Sequence, residues 1–143
     1  VVAELTPEVV AWCRGPLAAA TQGAVDDARV EVALGSVEDA IVLAASAPRS
    51  DAHARYGAIA LDLDEGPHPA RAADAHPVFG AAALGRLRRA LVPGGAFALW
   101  SEHRDAAFER RLRAAELAFE VQRPGRCGLR HAVYVATPSG KSS

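Results

Sequence analysis

Short apolar runs alternate with amphipathic stretches along nearly the whole chain. Residues 1–5, VVAEL, are apolar and β-branched and predict a strand. Thr6-Pro7-Glu8 follows, a capping hydroxyl, a proline at the first helical position and an acid in the first turn. It predicts a helix over 7–20, with Val9, Val10, Cys13 and Leu17 on one face. Gly23 and Asp26-Asp27 read as the turn out of it. Residues 29–35, RVEVALG, alternate as a strand with one drier face. Ser36-Val37-Glu38-Asp39 has capping-box spacing and predicts a helix to about residue 45.

A polar loop over 47–55 leads to GAIALDL, 57–63, whose near-continuous apolar character predicts a central parallel strand covered on both faces. A loop over 64–75 precedes a helix over 76–91, where Phe79, Ala83, Leu84, Leu87 and Leu91 recur at helical intervals. Arg86, Arg88 and Arg89 lie near its C-terminus, where cations complement the helix dipole. Pro93-Gly94-Gly95 predicts a turn before a strand at 96–100. An Arg/Glu-rich helix over 104–117 carries Ala107, Phe108, Leu112 and Ala115 on one side. Two closing strands, 118–124 and 130–138, flank the turn Pro124-Gly125-Arg126, and 139–143 reads as a disordered tail.

This alternation predicts an α/β domain over 1–138 with a mostly parallel sheet, closed by an antiparallel pair at one edge. Composition narrows the class. A net charge of −1 gives no electrostatic reason to bind nucleic acid or an anionic membrane. No apolar stretch approaches the roughly 20 residues of a membrane span, and there is no basic leader followed by an apolar core. Cys13 and Cys127 form no CxxC or Cys/His pattern and read as reduced thiols. A cytoplasmic protein is the expectation.

Candidate chemistry collects where the strands end, because ligands of open parallel sheets bind outside the carboxyl ends of the strands. Glu4 closes the first strand, Ser36 to Asp39 follow the second, Asp62 to Glu65 close the third, and Ser101 to His103 close the fourth. A carboxylate at Glu4 suits bidentate hydrogen bonding to two ribose hydroxyls, or is simply a solvated acid at a strand end. A carboxylate at the end of the third strand could accept a proton from an amine or hold it by charge-assisted hydrogen bonds. Asp62, Asp64, His68, Asp74 and His76 match no metal-ligand spacing, so no metal is expected. There is no Gly-x-Ser-x-Gly elbow, Walker loop or Cys/His pair, which leaves hydrolase and nucleoside triphosphatase readings unsupported.

VVAELTPEVVAW, RVEVALGSVEDAI, YGAIALDLDEGP and LRRALVPGGAFALWS together resemble the middle and C-terminal part of a spermidine synthase-like protein. The resemblance runs from about residue 1 to 136, and the Asp-x-Asp-x-Gly-Pro run at 62–67, in which glutamate precedes Gly66, is its most specific piece. It implies a Rossmann-like class I methyltransferase sheet, mostly parallel with an antiparallel C-terminal strand and lacking its first strand. It implies transfer of an aminopropyl group from decarboxylated S-adenosylmethionine to a polyamine such as putrescine, in a homodimer, with no permanently bound cofactor. Glu4 would bind the ribose, Ser36 and Val37 would lie along the nucleoside, and Asp62 would deprotonate or orient the amine. The second acid falls at Glu65 by spacing or at Asp64 by residue type, and both are taken as substrate-binding. Ser36 departs from the family, which carries an aspartate there to read the adenine amino group.

The chain also begins Val1-Val2, inside a strand and without methionine, and reads as a fragment lacking the glycine-rich loop and the N-terminal domain. A strand would then be missing between 1–5 and 57–63. Two other functions stay open: an S-adenosylmethionine-dependent methyltransferase, and a degenerate, non-catalytic dimerisation module.

Overall fold

The computed structural model describes residues 1–48, 50–63, 66–67, 75–123 and 131–140. The chain forms two compact units, Val1–Ile41 and Val42–Ser143, with the boundary inside a helix.

In the first unit, β1 (Val2–Glu4) and β2 (Val32–Leu34) pair in parallel, Val2 with Val32 and Glu4 with Leu34. Helix α1 (Pro7–Arg14) starts at Thr6, although the threonine hydroxyl makes no capping bond. It ends at Arg14 and not near residue 20, because Gly15 leaves the helical region (φ −107°, ψ −109°) and Pro16 disfavours helical backbone before it and has no N–H to donate. A series of turns covers 15–23. The loop into β2 is held by Asp27, which accepts from the backbone N, Nε and Nη2 of Arg29. The Arg29 side chain, with its backbone N–H, holds the Asp27 carboxyl down at about 2. Helix α2 (Val37–Ser46) opens after Ser36, whose Oγ accepts from Glu38 N at 3.1 Å.

The second unit is built on a four-stranded sheet in the order β3-β4-β6-β5: β3 (Tyr56–Leu61), β4 (Leu91–Ser101), β6 (Ala132–Pro138) and β5 (Leu117–Gln122). β3 and β4 are parallel, while β6 is antiparallel to both β4 and β5, so β5 runs in the direction of β4. The fold is α/β, with a mostly parallel open sheet to which an antiparallel strand has been added. The two closing strands form the expected antiparallel pair at one edge of the sheet, with β6 next to β4 and β5 outermost. The side chains account for this. β6 buries Ala132, Tyr134 and Ala136 on one face and half-buries Val133 and Val135 on the other, whereas β5 exposes Glu120 and Gln122, as an edge strand can.

β3 is likewise an edge strand and not a central one. Only Ile59 and Leu61 are buried, and Gly57, Ala58 and Ala60 are exposed, so small residues gave its sequence an apolar look without bulk to bury. Among the described residues β1 pairs only with β2 and β3 only with β4.

Pro93-Gly94-Gly95 is not a turn ahead of β4 but an irregularity within it. Tyr56 pairs with Leu91 and Ala58 with Ala96, so the extra residues loop out of the ladder. Gly94 sits at φ +78°, and a Cβ on Gly95 would lie 3.0 Å from the carbonyl oxygens of Gly57 and Val92.

Helix α3 (Ala81–Ala90) is shorter than the predicted 76–91, because His76 organises its own turn: Nδ1 accepts from Val78 N and Phe79 N, both at 3.1 Å. Helix α4 (Ala106–Ala114) is capped by Asp105, which accepts from Phe108 N at 2.7 Å. Its exit is turned by Glu116 at φ +56°.

The core lies between these two helices and one face of the sheet. Leu84, Leu87, Phe97, Leu99, Phe108, Leu112 and Tyr134 are fully buried. Phe108 meets Phe79 edge-on at 6.0 Å and Tyr134 edge-on at 5.2 Å. The Tyr134 hydroxyl accepts from Asp105 N at 2.7 Å, which satisfies a donor just before α4.

Burial pushes the Tyr134 phenol above its usual 10. The folded state therefore keeps this proton at a pH where the unfolded chain loses it, and stability should fall as pH rises past about 10. Tyr134→Phe should lower stability near neutral pH by about 1–3 kcal/mol, because the Asp105 N–H loses its acceptor. It should also flatten the alkaline decline, which urea unfolding of both proteins between neutral pH and about pH 11 will measure.

Candidate functional site

Each unit ends its parallel strands in polar residues. In the first, Gly35 N donates to Glu4 O at 2.9 Å, extending the β1–β2 ladder by one bond. Ser36 and Val37 follow immediately at the start of α2, so Glu4, Ser36 and Val37 share the carboxyl end of this small sheet. Gly35 makes the change of direction at φ +153°, where a side chain would be strained. Glu4 is half-buried, and its Oε1 accepts from Thr6 N at 2.8 Å, turning the chain into α1. Oε2 makes no hydrogen bond to a described residue and is free for a hydroxyl donor. The Ser36 hydroxyl, by contrast, is committed to Glu38 N.

In the second unit Asp62 follows the last residue of β3 and is exposed. Leu61 is in register with Leu99, so Asp62 leaves the sheet beside Trp100 of β4. Asp62 makes no hydrogen bond or ion pair with another described residue. An unpaired carboxylate at an exposed strand end can accept a proton or hold an ammonium group by charge-assisted hydrogen bonds. The neighbouring strand ends in buried Ser101, whose hydroxyl donates to His103 O at 2.9 Å. Asp64 and Glu65 lie outside the described residues.

Pro67 is held by a residue the sequence reading passed over. Arg111 on α4 is 8% exposed, and it donates from Nη2 to Pro67 O at 3.2 Å and from Nε to Phe79 O at 3.0 Å. Its guanidinium also lies 5.7 Å from the centre of the Phe108 ring. The signal was present in the sequence, since 108, 111, 112 and 115 are helical neighbours and place an arginine on the apolar side. On the same helix Glu109 is 6% exposed and pairs with Arg104 at 2.7 Å.

Among the described residues no group of three His, Cys, Asp or Glu side chains could hold a metal ion. Of the five residues weighed as ligands, Asp64, His68 and Asp74 lie outside the described residues, and His76 Nδ1 is occupied by Val78 N and Phe79 N. No helix among the described residues is long and apolar enough to cross a membrane.

The chain matches no family model and no curated protein.

Arg111→Met should free the Pro67 and Phe79 carbonyls and cost about 1–3 kcal/mol. Hydrogen exchange should quicken at Leu63 and Gly66 more than along β4 and β6; uniform quickening would make Arg111 a general stabiliser and not a clamp on Pro67.

Proposed function

We propose that the chain is a spermidine synthase-like aminopropyltransferase domain of the class I methyltransferase fold. The observation that carries this reading is Asp62, an exposed carboxylate without a partner among the described residues, at the carboxyl end of a parallel strand. Glu4, with one carboxylate oxygen free at a second parallel strand end, supports a ribose contact. The antiparallel last strand fits the sheet that the resemblance calls for. Decarboxylated S-adenosylmethionine would be a co-substrate, the acceptor a small polyamine, the working form a homodimer and the compartment the cytoplasm.

In this reaction the amine nitrogen uses its lone pair to attack the carbon next to the sulfonium. The carbon–sulfur bond breaks, its electrons return to sulfur, and methylthioadenosine leaves as a neutral thioether. The polyamine arrives as an ammonium and must lose a proton before its lone pair can attack, and Asp62 is the group that takes that proton or holds the amine in line. The sulfonium is already a good leaving group, so placement and deprotonation are the main contributions asked of the protein.

Ser36 favours a second reading, a non-catalytic member of the same fold. Its hydroxyl is used at the start of α2, and no carboxylate stands at that position to read the adenine amino group.

With decarboxylated S-adenosylmethionine and putrescine, the protein should release methylthioadenosine. Asp62→Asn should lower turnover about 10²–10⁴-fold while leaving nucleoside binding nearly unchanged. Unimpaired turnover in that variant rules out the assignment of Asp62. Tighter calorimetric binding of S-adenosylmethionine than of its decarboxylated form points to a methyltransferase, and binding of neither points to the non-catalytic reading.

A further inference from the structure

The amino-terminal ends of β3 and β4, at the opposite edge of the sheet from Asp62, enclose a cavity of about 260 Å³. Three arginines line it: Arg55, one residue before β3, and Arg88 and Arg89 in the last turn of α3. The remaining wall is mostly apolar, with Leu91, Pro93 and Pro138 among its residues. Among the described residues no acidic side chain lines it.

The three cations are not equivalent. Arg88 Nη2 is 2.7 Å from Glu116 Oε2, so its charge is largely answered from outside the cavity. Arg55 donates from Nη2 to Ala47 O at 3.2 Å, which neutralises nothing, and its Nε is buried with no hydrogen-bond partner. A buried donor of this kind is costly unless something accepts from it. Arg89 is exposed and makes no ion pair with a described residue; its Nη1 lies 3.8 Å from where a Cβ on Gly85 would sit. Arg55 and Arg89, neither in an ion pair with a described residue, therefore line one small cavity.

The end of α3 is also here, and its free carbonyls are the negative pole of the helix dipole. Cations in a last turn stabilise the helix through that pole, which is reason enough for Arg88 and Arg89. It does not explain Arg55, which belongs to another segment and brings a second full charge to the same space.

We infer that this cavity is a binding site for a small phosphomonoester. Two guanidinium forks match the oxygens of a doubly charged phosphate. Leu91, Pro93 and Pro138 would pack against the organic part, for which a bare anion has no use. The site shares no residue with the rim at Asp62 and does not depend on the proposed transferase activity.

The test is calorimetric titration of the full chain at constant ionic strength with glycerol 3-phosphate, inorganic phosphate and acetate. Glycerol 3-phosphate should bind saturably and more tightly than phosphate, with acetate weakest. Arg55→Gln and Arg89→Gln should each weaken the ester about tenfold or more, since each removes a charge-assisted contact. If Arg55→Gln fails to fold, Arg89→Gln carries the test alone, because Arg89 is exposed and has no partner among the described residues. No saturable binding, or affinity unchanged in Arg89→Gln, overturns the proposal. Equal affinity for inorganic phosphate overturns the ester assignment.

Discussion

The Tyr134 hydroxyl accepting the Asp105 N–H is the contact through which the second unit holds its helix layer to its sheet. It lies on an inner strand, wholly buried, with Phe108 packed on its ring, so sheet, cap and helix meet at one residue. Asp105 in turn caps α4, and α4 carries Arg111, the arginine that reaches back to Pro67. A backbone donor satisfied in the core thus stands at the start of the helix that holds Pro67. A buried arginine is tolerated there because it donates to two carbonyls, and because its charge is spread across a planar group that also lies over Phe108.

The second unit is chemically polar from end to end. The carboxyl ends of its parallel strands present an acid with no partner among the described residues, and the amino ends present arginines around a cavity. Peptide dipoles alone do not require this. At the end of α3 the arginines oppose the negative pole of the helix, and at the end of β3 the acid stands in open solvent.

Much of the architecture was legible because period and punctuation are local properties. The helices around Val37, Leu84 and Leu112 announced themselves by spacing, and β3 through β6 by runs of branched and small apolar residues. The misreadings have local causes as well. Gly15-Pro16 stopped α1 inside a stretch that still looked amphipathic, and His76 folded a turn where periodicity suggested helix. Alanine and glycine made β3 read as a covered strand, since hydrophobicity scales do not distinguish small apolar side chains that pack from those that merely fit.

The sequence by itself determined the element types, the α/β class, and the placing of Glu4, Ser36 and Asp62 at strand ends, because each follows from neighbours within a few residues. Tertiary structure alone decided the strand order, with β6 inserted between β4 and β5, since pairing partners are chosen by burial across distant segments. It alone assembled Arg55 with Arg88 and Arg89, and Arg111 with Pro67, because these meet only when α3 and α4 pack against the sheet. Residues 44 positions apart cannot signal their contact through any local pattern.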